Sequence, residues 1–502
     1  MRVVTRRPTQ LGNKRAVALI VGTGCAVVMA VSGGAVASAS PAGSAVVAKS
    51  GQLASLATAT VAGVPDTSWP AYLDGPLHHS YVPLQTAISP ANASTLVQEW
   101  KQTSVGAPFV ATPIVNRGSV YIGGSNGYFY RLSEHTGQVL ASVYIGRQKA
   151  TTCPANGVTS TATIAPNPLT HVLTVYVAGG DGYLYALRAL TLKPEWRSVI
   201  AIPSTKINNY YDWSSPTVAN SKIYIGIASS CDQPLVRGAV VAYNQGTGAK
   251  LAEFFTTPAG LRNRGATVWS SVAVAPSGML FVTTGNGPYG RPLFGDAESI
   301  LKLNPNTLAL VARYKIPAAD LDRDSDFGAS AVLFDGLVGA CNKNGIFYAL
   351  QRLNMALAWK QRIGHPAGPG NWGTCLAAPV FNGQDLYFGS NKTTINGVAA
   401  EGSVQERSPS SGALIWETPL PGGVMGSPSM DGSGVLAVGT YSPGTKGVYL
   451  VNAANGAILA PAGSPAGSAL ISGATFAQPV FAENQIFIAN SSGVYAFGLP
   501  GS

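Results

Sequence analysis

Four stretches of this chain read almost as one phrase. Residues Tyr121 to Gly137 are YIGGSNGYFYRLSEHTG, and Tyr176 to Trp196 are YVAGGDGYLYALRALTLKPEW. Gly339 to Trp359 are GACNKNGIFYALQRLNMALAW, and Ile486 to Gly498 are IFIANSSGVYAFG. Each is a short run of β-branched and aromatic residues, a Gly/Asn/Asp turn, a second alternating run, and often a Thr-Gly or Asn-Gly turn. A unit recurring about every 45–60 residues marks a repeat architecture.

The glycine at the equivalent turn recurs as Gly127, Gly182, Gly238, Gly345, Gly402, Gly447 and Gly493. One further unit, Leu280–Thr307, carries Asp296-Ala297-Glu298 where the glycine is expected. Runs such as Val110–Val115 and Ser215–Val218 add a strand before each phrase. Four short strands per unit make a propeller blade, whereas the period is long for a β-solenoid coil. The chain therefore reads as all-β, an eight-bladed propeller of four-stranded blades. Seven units are complete. The eighth lacks its last strand, which Leu96–Trp100 can supply, so that N- and C-terminal strands close the ring and remove two exposed edges.

A chain of 502 residues can bury a sizeable core in one such domain. Charged residues are 11% of it, against 59 Gly and 34 Pro, which excludes a disordered polyelectrolyte. Five units of the formal net charge of +10 come from Arg2, Arg6, Arg7, Lys14 and Arg15, with no acid in residues 1–40. The remainder forms no basic stripe, so a nucleic-acid partner is not expected. A basic start, an apolar run from Ala16 to about Val31 and the small residues Ala35-Val36-Ala37-Ser38-Ala39 read as an export signal over residues 1–40. The run falls short of the roughly 20 residues of a membrane helix. No stable span is expected once the signal is cleaved, the alternative being an uncleaved anchor. Residues 41–66 read as an Ala/Ser/Gly-rich linker, and 67–502 as the propeller. The expected destination is the cell envelope or the exterior. Four cysteines follow the signal, and pairs between neighbouring repeats would be Cys153–Cys231 and Cys341–Cys375. C-x-x-C-H is absent, so no c-type haem is attached to this sequence.

Two stretches break the pattern: Trp269 to Asp296, WSSVAVAPSGMLFVTTGNGPYGRPLFGD, and Pro317 to Tyr348, PAADLDRDSDFGASAVLFDGLVGACNKNGIFY. Both read as longer polar loops on a rigid scaffold, where function concentrates. Here the repeat resembles the pyrroloquinoline-quinone (PQQ) repeat. The order of the broken motifs resembles the PQQ-dependent alcohol dehydrogenases, including the polyvinyl-alcohol dehydrogenase branch, from about Trp69 to the C-terminus. Trp269…Thr284-Gly285-Asn286 is similar to the family's Trp…Thr-Gly-Asn. Gly295-Asp296 is similar to its Gly-Asp, and Lys343-Asn344-Gly345 to its Lys/Arg-Asn-Gly. The resemblance implies a quinone floor at Trp269, Ca²⁺ ligands at Asn286 and Asp296, a general base at Asp296 and a quinone-contacting cation at Lys343. The family's metal-binding Glu before an Arg-Gly is matched in register by Gln233. The neighbouring carboxylate Asp232 is taken as the ligand here.

Elementary chemistry agrees with these roles. A flat conjugated cofactor favours an aromatic face. Ca²⁺ takes oxygen ligands and polarises a carbonyl. A carboxylate beside it can accept the proton of an alcohol, and a Lys can stabilise an oxygen that gains charge. Asp320, Asp322, Asp324 and Asp326 alternate as in a Ca²⁺ loop, but lack the glycine and the closing glutamate of an EF-hand. Gly123–Gly127 matches G-x-S-x-G formally, yet lies between two strands and not on a strand-to-helix elbow. His78-His79 has no zinc spacing and is expected to pack the lead-in.

The implied function is oxidation of an alcohol or polyol with PQQ and Ca²⁺, electrons leaving to a separate carrier such as a cytochrome c. The competing function is a non-enzymatic propeller acting as an envelope or extracellular scaffold. Convergence of the Asp232, Asn286 and Asp296 oxygens above Trp269 separates the two.

Overall fold

The repeated phrase becomes the two middle strands of each blade. In the first, Ser119–Gly123 pairs antiparallel with Tyr128–Ser133 around a turn at Gly127, whose φ of 88° is free only to glycine. The computed structural model describes residues 68–501 apart from 85, 149–155, 203–209, 233, 367–372 and 443. The proposed signal, the linker, Cys153 and Gln233 therefore lie outside the described residues, and so does one half of the expected Cys153–Cys231 pair. The described residues fall in one compact unit. No described helix is long and apolar enough to cross a membrane.

Eight sheets follow one another in chain order: blade 1 over residues 114–144, blade 2 over 163–199, blade 3 over 217–255, blade 4 over 273–315, blade 5 over 332–362, blade 6 over 380–420, blade 7 over 429–472 and blade 8 over 480–498. Blade 8 takes its fourth strand from Val97–Gln102, which pairs antiparallel with Val494–Gly498 from Val97↔Gly498 to Gln102↔Val494. This is the closure expected at Leu96–Trp100, shifted slightly toward the C-terminus. Second strands such as Leu337–Cys341, Val435–Gly439 and Gln485–Ala489 are buried at every position, because neighbouring blades cover both their faces. Outermost strands such as Val139–Tyr144 are mostly exposed. Gly402 keeps the repeat's place, but the blade 6 strands run past it to a turn at Asn396-Gly397.

Two devices fasten the blades. Around the central channel, the backbone N–H groups of Thr112, Thr161, Ser215 and Ser271 each donate to the hydroxyl of the next blade's equivalent residue, at 2.9–3.0 Å. Ala378 donates likewise to Ser427, and Gln478 to Thr112 across the closing junction. At the rim, the residue just after the outer-strand bulge docks onto a turn of the following blade. Trp100, Trp196, Trp359 and Trp416 cover Gly137, Gly248, Gly412 and Gly456, where a Cβ would lie 2.4–2.6 Å from the indole. Where that residue is Ala141, Ala252 or Ala312, the turn instead holds Leu192, Leu308 or Met355, at φ of 55°, 56° and 62°. These large side chains are buried in the same clusters as the small ones. Size lost on one blade is restored on the next.

The lead-in does pack on the domain. Trp69 exchanges two 2.9 Å backbone bonds with Val115. The carbonyls of Pro70, Pro76, Leu77, His79 and Ser80 accept from Ile164, Val274, Leu333, Phe381 and Met430, so one short segment visits the inner strands of six blades. His78 Nδ1 lies 2.8 Å from the Ala331 carbonyl, and His79 Nε2 lies 2.7 Å from that of Leu333. Val115, Val274 and Phe381 are the last residues of their strands, so the segment closes the channel at the end where the inner strands finish.

Candidate active site

At the opposite end, second strands finish and inner strands begin. Asp232 follows Lys222–Ser229 of blade 3, Asn286 follows Leu280–Thr283 of blade 4, and Lys343 follows Leu337–Cys341 of blade 5. Trp269 leads into Ala273–Val274, and Asp324 and Asp326 lead into Val332–Phe334. The first departure from the repeat is thus a lengthened loop between the middle strands of blade 4. The second departs in composition more than in length, since the inter-blade segments at 145–162, 200–216 and 256–272 are comparably long. Cys341 and Cys375 form the expected disulfide, stapling the second strand of blade 5 to the segment leading into blade 6, two residues from Lys343.

These residues meet. The Trp269 indole N–H donates to Asp326 Oδ2 at 3.2 Å, and Lys343 Nζ stands 5.2 Å from the Trp269 ring centroid. Lys343 Nζ lies 2.7 Å from Asp326 Oδ1, a charge contact without hydrogen-bond alignment, and 3.2 Å from Asp324 Oδ2. The Asn286 amide nitrogen donates to Asp232 Oδ2 at 3.3 Å and to Asp324 Oδ1 at 3.1 Å, while the Ser229 hydroxyl donates to Asp232 Oδ1. Gly328 abuts the Trp269 ring, and a Cβ there would fall 2.9 Å from it. Burial drives Asp326 up to about 7, against the pull of Lys343. Burial pushes the Lys343 ammonium down, but Asp326 and Asp324 outweigh it and hold the group above its ordinary value. Burial also raises Glu298 well above the usual carboxylate range, with Asp326 and Asp324 adding to the effect.

Trp269, Asn286, Asp232 and Lys343 are therefore brought together. Asp296 is not. Its carboxylate pairs with Arg313 on the outer strand of blade 4, and its backbone is tied to Thr256 and Thr284. The expectation that placed the base and a metal ligand there is not met, because Arg313 takes the carboxylate. The acids that do face the group are Asp324 and Asp326. They are the second half of the alternating acidic run, and that run is split: Asp320 turns away to Lys360 at 2.7 Å and to the Tyr348 hydroxyl at 3.0 Å. A signal for Asp326 exists in the repeat. Ser271 and Ser330 occupy equivalent places in the hydroxyl ring, so Gly328 stands where Trp269 stands one blade earlier. An acid two residues before that glycine is thereby aimed at the indole.

Among the described residues, no three His, Cys, Asp or Glu side chains stand ready-gathered around one point as a metal cage. The donor set nevertheless suits a hard cation. Asp232 and Asp324 converge on one amide of Asn286, whose oxygen and nitrogen exchange places by a half-turn. Asp232, Asp324, Asp326 and the cation Lys343 all act on the Glu298 carboxylate.

Comparison with known proteins follows the same line. A family model described as outer membrane protein assembly factor BamB matches residues 78–230. The quinohemoprotein alcohol dehydrogenase ADH-IIG of Pseudomonas putida is 26% identical over 314 residues, 54% of this chain and 42% of that protein. In repeat and fold the chain resembles the PQQ-dependent alcohol dehydrogenases. The chain spans less than half the length of this curated relative. The solved quinohemoprotein alcohol dehydrogenase ADHIIG of Pseudomonas putida HK5 superposes with a TM-score of 0.65 at 18% identity, over 87% of this chain and 81% of that one. A europium-containing methanol dehydrogenase gives 0.67 at 15% identity, over 86% and 98%. At these identities the structural likeness is one of fold.

Proposed function

We propose that this chain is an exported quinoprotein dehydrogenase that oxidises an alcohol or polyol and passes the electrons to a separate carrier such as a cytochrome c. The observation that carries the reading is the meeting of Trp269, Lys343, Asn286, Asp232, Asp324 and Asp326 where second strands finish and inner strands begin. Buried ionisable groups so perturbed cluster at functional sites. The Asp232, Asn286 and Asp296 oxygens do not converge above Trp269, which by that criterion speaks for the scaffold; the enzyme reading rests instead on Asp324 and Asp326 beside Lys343, Asn286 and Trp269.

PQQ, when bound, would accept two electrons from the alcohol carbon, with Ca²⁺ polarising its carbonyl. The protein's part is then legible in its own groups. The Trp269 ring, backed by Gly328, offers a flat apolar floor. Asp232, Asp324 and the Asn286 amide oxygen are the hard ligands suited to hold the cation. Lys343 would donate hydrogen bonds to an oxygen that gains negative charge. Asp326, nearly fully buried, would accept the hydroxyl proton at a carboxylate oxygen as hydride leaves the neighbouring carbon.

The scaffold reading draws on one observation, the match of residues 78–230 to an assembly-factor family. That segment ends before Asp232 and contains none of the site residues. Reconstitution with PQQ and Ca²⁺, followed by an alcohol and polyol panel with an artificial electron acceptor, tests the enzyme. Cofactor-dependent turnover is expected. Absence of turnover together with absence of bound PQQ leaves the scaffold.

A further inference from the structure

We infer that Glu298 is an additional cation-binding residue of this site, an inference that rests on the reading just proposed. Glu298 occupies the place of the repeat's turn glycine. Ile145, Ile200 and Ile363 donate their N–H groups to the carbonyls of Gly127, Gly182 and Gly345, and Ile316 donates in the same way to Glu298 at 3.1 Å. Those glycines have φ of 88°, 84° and 83°. Glu298 has φ of 54°, in the left-handed region that a side chain with a Cβ disfavours. At Gly127 and Gly345 a Cβ would fall 2.6 and 2.3 Å from the carbonyl oxygens of Gly146 and Gly364, so the neighbouring segment must make room for one in blade 4.

The side chain gains nothing visible in return. It is 1% exposed, and its Oε2 has no hydrogen-bond partner among the described residues. The charges that act on it most strongly are those of Asp326, Asp324, Lys343 and Asp232, three acids and one base. Its N–H donates to the Gly285 carbonyl at 3.2 Å, which places it on the same turn as Asn286. Strain, burial and like charge all oppose it in the metal-free protein. A hard divalent cation held between Asp232, Asp324 and Asn286 would offset the last two, because carboxylate oxygens are the ligands it favours. The other seven units of the repeat carry glycine at this place.

Thermal unfolding of the full chain without PQQ, across a Ca²⁺ titration, tests this. The wild type should rise in Tm with Ca²⁺. Glu298→Gly should melt higher than the wild type in EDTA and require roughly 10–100-fold more Ca²⁺ for the same gain. Glu298→Gln, which keeps size and backbone strain, should show the same weakened Ca²⁺ dependence. A lower metal-free Tm for Glu298→Gly, or wild-type Ca²⁺ titrations in both variants, overturns the role of Glu298 alone. A wild type indifferent to Ca²⁺ overturns the cation site, and the proposed function loses its metal with it.

Discussion

Asp296 and Asp326 are two acids of the same chemistry set apart by what faces them. Asp296 meets Arg313, whose side chain is 47% exposed, whereas Asp326 meets Lys343 and an indole N–H in the interior. Asp326→Asn in the reconstituted enzyme should therefore lower turnover about 10²–10⁴-fold, the usual worth of a general base. Asp296→Asn should leave turnover within a few-fold. Steady-state assays of the pair check this, and the reverse ranking would return the base to Asp296. A second residue speaks to pH. Burial lowers His78 to about 4, against the opposing pull of the Ala331 carbonyl. The neutral ring is thus favoured in the fold, and the stability tied to it is complete above the unfolded value of roughly 6.5 and lost as pH falls toward 4. The full span is about 3 kcal/mol by the same conversion. His78→Gln should flatten the acid limb of a stability–pH curve by an amount of that order, measured as wild type minus variant in denaturant. An unchanged difference between pH 7 and 4 would refute it.

At the scale of elements, the Thr-Gly and Asn-Gly endings of the phrase look like turn chemistry alone, but they answer to a residue in another blade. Gly412 is small because Trp359 lies on it, and Met355 is large because Ala312 does not reach. Trp359→Ala should cost about 3–5 kcal/mol. Adding Gly412→Leu should recover some of this, with a coupling of about 0.5–3 kcal/mol, since the Leu308 and Met355 turns already carry such residues at positive φ. A double-mutant cycle in urea reads that coupling, and strict additivity would show that the pairs are independent. The same contrast explains what the sequence made legible. Strands, turns and blade number follow from local alternation repeated eight times, and the closing strand at Val97–Gln102 from a local run left without a partner. Trp269, Asn286 and Lys343 could be read because each stands at the edge of a repeat that it breaks. Asp326 shows only through the register of the repeat, which sets Gly328 where Trp269 stands one blade earlier, and its role comes from Lys343 and Trp269 in neighbouring segments. Asp296 misled because only Arg313, on the outer strand, reveals what takes its carboxylate.

For the whole molecule, closure and site belong to opposite ends of one channel. The lead-in around Trp69 to Ser80 ties six inner strands at one end, and the ring of hydroxyl bonds binds blade to blade around the middle. The other end is left for Trp269, Lys343 and the acids, held by a frame that does not need them. A rigid ring with one furnished mouth suits a cofactor that must be held flat and reached by substrate from a single side. Equilibrium binding of PQQ to the purified protein, with and without Ca²⁺, tests that account most directly. One PQQ per chain, bound in a Ca²⁺-dependent way and lost in Trp269→Ala, is the predicted result. No binding at any Ca²⁺ concentration, by a wild-type protein that is folded, would contradict it.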